Sequence, residues 1–399
     1  MTSRKVHPEA KGALVSIGPL VGADELFAHQ IVDTFGSVAQ SDRSWTEKAW
    51  AQACANDGSL QVAFGIGKYA NRDVIDATAG VSRGVEQWAV RASRRLSKDR
   101  ESLSVGPIRY EVTEPLKAVT FALEPNDESP ISFEWRFEAA VPPFLEDREI
   151  HRSRDGSRRE ADLIRFHQSG TASGWVEVDG QRTEIAPHAW TSTRDRSWGV
   201  RYQVGEPVGD VAPGNQLDGV SILTMWSPIL CTRPDGSHYA LHWYYQRHGV
   251  GSYQRVELQG GIEHPDGRKE HFAAVVPELA FRDDNRRFSA GTLRFAMADG
   301  SERPLTLEAV SETGFHLGSA LYFGLDGHWP GQWRGSSHVE GEYVANCADP
   351  HQARRLHQLR SAVVQVEDPV GGGVGYGDFQ TLVLGADQAM GLSDEASFV

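Results

Sequence analysis

The chain has only three cysteines, Cys54, Cys231 and Cys347, among 399 residues. They are far apart and odd in number, so they build neither a disulfide framework nor a CxxC metal knuckle. Long apolar runs are also missing. No stretch approaches the roughly 20 residues of a membrane span, and Met1 to Gly18 lacks the apolar core of about 7 to 15 residues that a secretory leader carries. These absences predict a reducing, cytoplasmic setting without a membrane span. A clustered basic face is lacking too: the formal charge is -14, and the basic runs Arg91 to Arg95 and Arg152 to Arg159 are short and set among acids. Counterion-release binding needs more than that, so nucleic acid is not an expected partner. No Gly-x-Ser-x-Gly elbow occurs. The run Gly371 to Gly377 lacks the Lys-Ser/Thr ending of a phosphate loop and reads as a turn or bulge entering the last strand.

What the chain does have is turn chemistry. With 40% hydrophobic and 24% charged residues, 41 Gly and 19 Pro, it is globular and turn-rich. Short strand-like runs are spaced roughly 8 to 15 residues apart with no helical pattern between them, which favours antiparallel sheets over βαβ units. The first set is 60–69, 85–90, 108–112, 118–123, 131–137, 163–167, 174–178 and 198–202. After the Gly- and Pro-containing segment Gly205 to Gly219, a second set reads 220–226, 238–245, 253–262, 268–275, 291–297, 305–310, 317–323 and 379–384. Asp179-Gly180, Asp235-Gly236, Asp266-Gly267 and Asp299-Gly300 each mark a hairpin. Two helices are expected: one over Ala23 to Phe35, with Leu26, Phe27, Ile31 and Phe35 on its apolar face, and a short one over Pro350 to Arg360. The expected division is an extension over 1–44 and two β-rich domains over 45–212 and 213–399.

Protonatable and aromatic side chains supply the candidate site. Period-two alternation puts His242 and Tyr244 on one strand face and Trp243 and Tyr245 on the other. It also pairs His167 with Arg165 on a face. Asp195, between Arg194 and Arg196, is read either as a structural carboxylate bonded to those arginines or as a general acid facing a cavity. His167, His242, Tyr244 and Asp195 are the catalytic candidates. Trp198, Trp226, Trp243 and Tyr322 are the candidate substrate walls, with core filling as their alternative role. His316, His338 and Glu340 are a further polar set. His338 and Glu340 share a face, but no third ligand follows at recognisable spacing, so no metal and no cofactor are expected.

The segments Arg194-Asp195-Arg196-Ser197-Trp198-Gly199, Val105 to Leu116, Arg165-Phe166-His167-Gln168-Ser169-Gly170 and Gly375-Tyr376-Gly377 resemble the lipocalin-like superfamily of carotenoid 1,2-hydratases, AttH-type proteins and fungal Diels–Alderases. Bacterial members of unassigned function, with an Asp-His-Ser-Trp-Gly signature, are the most similar, over roughly Trp45 to Gly385. This chain carries Arg196 where the signature has His, and a guanidinium cannot replace an imidazole as a proton carrier. The resemblance implies an all-β fold of two lipocalin-like antiparallel barrel or sandwich units packed side by side, with few short helices. It also implies relatives that handle large apolar substrates.

Together these readings predict a hydrophobic pocket in one barrel or at the junction of the two. The activity expected is that of a cofactor-independent lyase or isomerase, hydrating, dehydrating or rearranging a terpenoid, steroid, polyketide or aromatic small molecule. The alternatives are a non-catalytic carrier of a hydrophobic metabolite and a pericyclase. Pairing of two copies as a homodimer stays open.

Overall fold

A computed structural model describes residues 20–27, 29, 38, 40–153, 157–210, 220–251, 253–282 and 286–393. It is built from two antiparallel sheets, one of 14 strands and one of 9. No helix among the described residues is long and apolar enough to cross a membrane.

The second sheet closes. Eight of its strands run in the order Glu302–Ala309, Arg287–Met297, Lys269–Arg282, Tyr253–Glu263, His238–Val250, Val220–Thr232, Gly373–Leu384 and Arg360–Asp368, and the eighth pairs back onto the first, Leu307 against Val366; the ninth, Phe315–His316, pairs with the start of Arg360–Asp368. Closure removes the sheet edges that would otherwise template aggregation. Strand Glu302–Ala309 shows the alternation behind this, with Leu305 and Leu307 wholly buried between exposed neighbours. The barrel interior is solid: Trp243 packs against Phe295 and Phe379, and Phe272 stacks on Phe295 at 3.9 Å.

The first sheet stays open, running Ser337–Val344, Glu86–Arg95, Val74–Arg83, Gln61–Tyr69, Trp45–Ala55, Trp190–Val200, Arg159–Val178, Ile131–Ala139, Ala118–Leu123, Ile108–Glu114 and Ser104–Val105, while Phe144–Leu145, Glu149–Arg152 and Gln181–Ile185 each pair with Arg159–Val178 off this path. Its first strand comes from the C-terminal half of the chain, Glu340 pairing with Arg91. Its concave side holds a core in which Phe121 stacks on Trp135 at 4.6 Å. The end of this core is stoppered by Glu25, wholly buried, whose carboxylate accepts from both terminal nitrogens of Arg194 at 2.7 Å, from the Tyr110 hydroxyl at 3.0 Å and from the Leu116 amide at 3.0 Å. A buried charge is tolerated only with such complete pairing. The cleft described below lies outside both cores.

The turns follow the expected chemistry. Asp179 and Gly180 both have positive φ, 52° and 75°, which a two-residue hairpin between Val178 and Gln181 requires. The carboxylates of Asp235 and Asp299 accept the amides of Ser237 and Ser301 at 2.9 Å each.

Several expectations need correction. Gly22–Glu25 is a single 3-10 turn and Leu26 is already extended, because the chain must bend there to insert Glu25 and Phe27; Ile31 and Phe35 lie outside the described residues, as do residues 211–219 of the expected boundary. The arginine-rich motif is the second half of strand Trp190–Val200, not the start of one. Asp195 does not pair with Arg194 and Arg196. Alternation sends those two to the core side, where Arg196 bonds Glu47 and backbone carbonyls, and leaves Asp195 on the opposite face. Residues 163–167 and 174–178 belong to one long strand, Arg159–Val178, bent at Gly174, where φ is 144°. Residues 317–323 are no strand: Leu317–Ala320 form a 3-10 turn ending at Leu321, whose φ is 63°. The late helix stops at Arg355, and Arg360 begins a barrel strand.

Candidate functional site

The convex face of the first sheet is unusually polar, and cross-strand register aligns its side chains in two adjacent rows. One row is His167, Asp195, Trp50, Gly65, Thr78, Arg91 and Glu340; the other is Arg165, Ser197, Lys48, Gly67, Asp76, Ser93 and His338. Residues directly opposite across an antiparallel ladder share a face. One end of the rows lies under the second barrel and the other under the segment Phe315 to Arg334.

The glycines in these rows make room for rings. A Cβ on Gly65 would sit 2.9 Å from the Trp50 ring, and one on Gly67 would sit 2.5 Å from the Tyr69 hydroxyl. Rings folded over strand glycines leave a small, partly open cleft with about 30 Å³ of room at its centre, whose polar wall is Lys48, Asp76, Arg91 and His338 and whose apolar wall includes Trp50 and Trp329. The Lys48 ammonium lies 3.7 Å from the centre of the Tyr322 ring, a cation–π contact. Burial pushes the Asp76 carboxyl up to about 6, even though the Gly331 amide, Lys48 and Tyr69 pull the other way. On the far side of Lys48, burial raises Asp195 as well, against the pull of Arg165, Arg201 and Lys48 itself. Glu340 cannot act with His338 as a free acid–base pair: burial raises its pKa, but Arg334 and Arg91 outweigh this and hold it ionised.

At the junction with the second barrel the polar groups are sealed. His167 and His242 are both wholly buried and stack at 3.4 Å. Glu146, beside strand Phe144–Leu145, binds His167 Nδ1 at 2.9 Å and the Trp226 indole N–H at 3.0 Å through Oε1, and Arg165 at 2.6 and 2.8 Å through Oε2. His167 Nε2 meets Glu263 at 2.8 Å. Burial disfavours the His167 imidazolium, but the two carboxylates more than offset it and raise its pKa. His242 is lowered to about 4 by burial and by its stacked neighbour. Tyr244 donates to Glu149 at 3.3 Å. Across the seam, burial lifts Asp378 to about 8, despite bonds from Gln380 and Ser361.

The sequence candidates therefore divide. His167, His242, Tyr244 and Trp226 meet in the sealed cluster. Asp195 stands next to His167 in the same row, and Tyr322 borders the cleft. Trp243 faces the second barrel's interior, while Trp198 stacks on His29 at 3.6 Å on the core side of its strand. Lys48, Asp76, Glu146, Glu263 and Asp378 were not anticipated. Lys48 lies on a strand whose inward positions are small, Ala49, Ala51 and Ala53 among them, so alternation there gives little signal. His316, wholly buried, bonds the His357 carbonyl at 3.1 Å.

A family profile matches residues 20–393, which take in both sheets and the cleft between the first sheet and the segment Phe315 to Arg334. The chain belongs to a family of unknown function, DUF8625. No curated protein matches it significantly. Among solved structures, one described as an AttH from Nitrosomonas europaea shares 12% identity with this DUF8625 member at a TM-score of 0.51, covering 94% of this chain and 99% of the other. That likeness establishes the lipocalin-like all-β fold of the AttH-type proteins. Kievitone hydratase from Nectria haematococca (10% identity, TM-score 0.40, 84% and 88% coverage) and CghA with Sch210972 (11%, 0.44, 85% and 87%) overlap less closely, and at such scores carry no weight.

Proposed function

We propose that the cleft over Lys48 and Asp76 binds an apolar small molecule and transfers a proton to or from it, as in a hydration, dehydration or isomerisation. The observation carrying this reading is a carboxyl with a pKa of about 6 in an open, ring-walled cleft beside a lysine. An acid tuned close to working pH is what general acid–base catalysis needs. Asp76 is the proposed proton carrier, Lys48 the group that steadies developing negative charge, and Trp50, Trp329 and Tyr322 the apolar wall. Asp195, on the other side of Lys48, is the second acid. His167 and His242, sealed away from the cleft, support this site from behind and fix strand Arg159–Val178 against the barrel.

A carrier would use the same walls without needing a tuned acid, and the Asp76 environment favours catalysis over carriage. The test offers the protein a terpenoid alcohol, a sterol and a polycyclic polyketide, and follows bound ligand by quenching of Trp50 and Trp329 and turnover by product mass. Asp76→Asn should keep binding and lose turnover by about 100-fold or more. Binding unaffected by Trp329→Ala, or turnover unaffected by Asp76→Asn, contradicts the assignment.

A further inference from the structure

We propose that Glu146, His167 and His242 form a binding site for a divalent transition-metal ion of the zinc type, which joins the two sheets. The site uses residues other than those of the cleft and stands or falls independently of the function proposed there.

Their ligand atoms lie within 4.8 Å of one another. From Glu146 Oε1 the distances are 2.9 Å to His167 Nδ1 and 3.4 Å to His242 Nε2. Ligands on a tetrahedral zinc, with bonds of about 2.0 to 2.1 Å, stand roughly 3.3 Å apart. His242 is the second, independent indication. It is wholly buried, its Nδ1 has no hydrogen-bond partner, and its Nε2 has only a long, poorly directed approach to Glu146 Oε1 at 3.4 Å. Buried polar atoms are rarely left so, and a metal would satisfy Nε2 directly.

The surroundings fit as well. A histidine that ligates through Nδ1 must carry its proton on Nε2, and Glu263 accepts there at 2.8 Å, the carboxylate–histidine–metal arrangement that orients such ligands. Arg165 and the Trp226 indole hold the Glu146 carboxylate in place. With neutral imidazoles, Glu146 and Glu263 outweigh Arg165 by one negative charge, which favours a cation. Imidazole and carboxylate donors suit zinc, cobalt, nickel and ferrous iron rather than calcium or magnesium. Metal binding requires the stacked rings, now 21° from parallel, to splay about their soft terminal torsions.

The test dialyses the full-length protein against a chelator and titrates it with Co²⁺ and then Zn²⁺, reading the visible cobalt spectrum and calorimetric stoichiometry. The expected result is one equivalent bound, with Zn²⁺ displacing Co²⁺, and affinity falling about 100-fold or more in His242→Ala and Glu146→Gln. Glu263→Gln retains the three ligands and a hydrogen-bond acceptor, so it serves even if those variants fold poorly; its affinity should fall about 10- to 100-fold. Absence of stoichiometric uptake by the unmutated protein overturns the site. So does an affinity unchanged in folded His242→Ala.

Discussion

The two ends of one polar sheet face differ in access rather than in chemistry. At the junction, Glu146, His167, His242 and Glu263 form a close set of ionisable groups that solvent hardly reaches. In the cleft the ionisable groups are as many, Lys48, Asp76, Arg91, Arg334 and His338, but they line an opening partly walled by rings. Close pairing without access builds rigidity. A perturbed acid with access is where an added molecule can react.

The largest effect that would break this contrast is on stability at the sealed end. Glu146→Ala leaves Arg165 buried without its main partner and should cost about 3 to 5 kcal/mol, measured by urea unfolding; a loss below about 1 kcal/mol would mean the seam opens readily. At the open end the sign reverses. Burial raises the Asp76 pKa from 3.8 to about 6, so between those values the folded state binds more protons than the unfolded one. Stability contributed by Asp76 is therefore lost as pH rises through that window. Asp76→Asn should gain on the order of 1 to 3 kcal/mol over the unmutated protein at pH 7.5, and the gap should shrink toward zero near pH 4. A stability gain accompanying lost turnover marks a strained functional group. Smaller still, Trp329→Ala should weaken ligand binding about 10-fold while lowering stability by about 1 kcal/mol or less, since that ring is partly exposed. Gly65→Ala sharpens the comparison most finely: its Cβ meets the buried Trp50 ring at 2.9 Å, so the ring must shift, and Trp fluorescence should report this alongside a stability loss of about 1 kcal/mol.

Much of the fold was legible because the second half alternates cleanly and turns on Asp-Gly pairs. Strand Glu302–Ala309 and the hairpins around Asp235 and Asp299 can be read almost residue by residue. Strands Trp45–Ala55 and Val74–Arg83 could not be read, since nearly every position on both is buried, erasing the alternation, and alanines fill much of their core faces. The site was half legible. Composition and alternation found His167, His242, Tyr244 and Asp195, but Glu146 and Glu263 join them only through long-range packing. Nothing local distinguishes Asp76, whose character comes from Gly331, Lys48 and Tyr69 folded around it.

The most direct measurement is an NMR titration of the Asp76 carboxyl carbon in the folded protein, assigned by its disappearance in Asp76→Asn. The account predicts a midpoint of about 6. A midpoint near the ordinary aspartate value of about 4 would contradict it, leaving the cleft without a tuned acid.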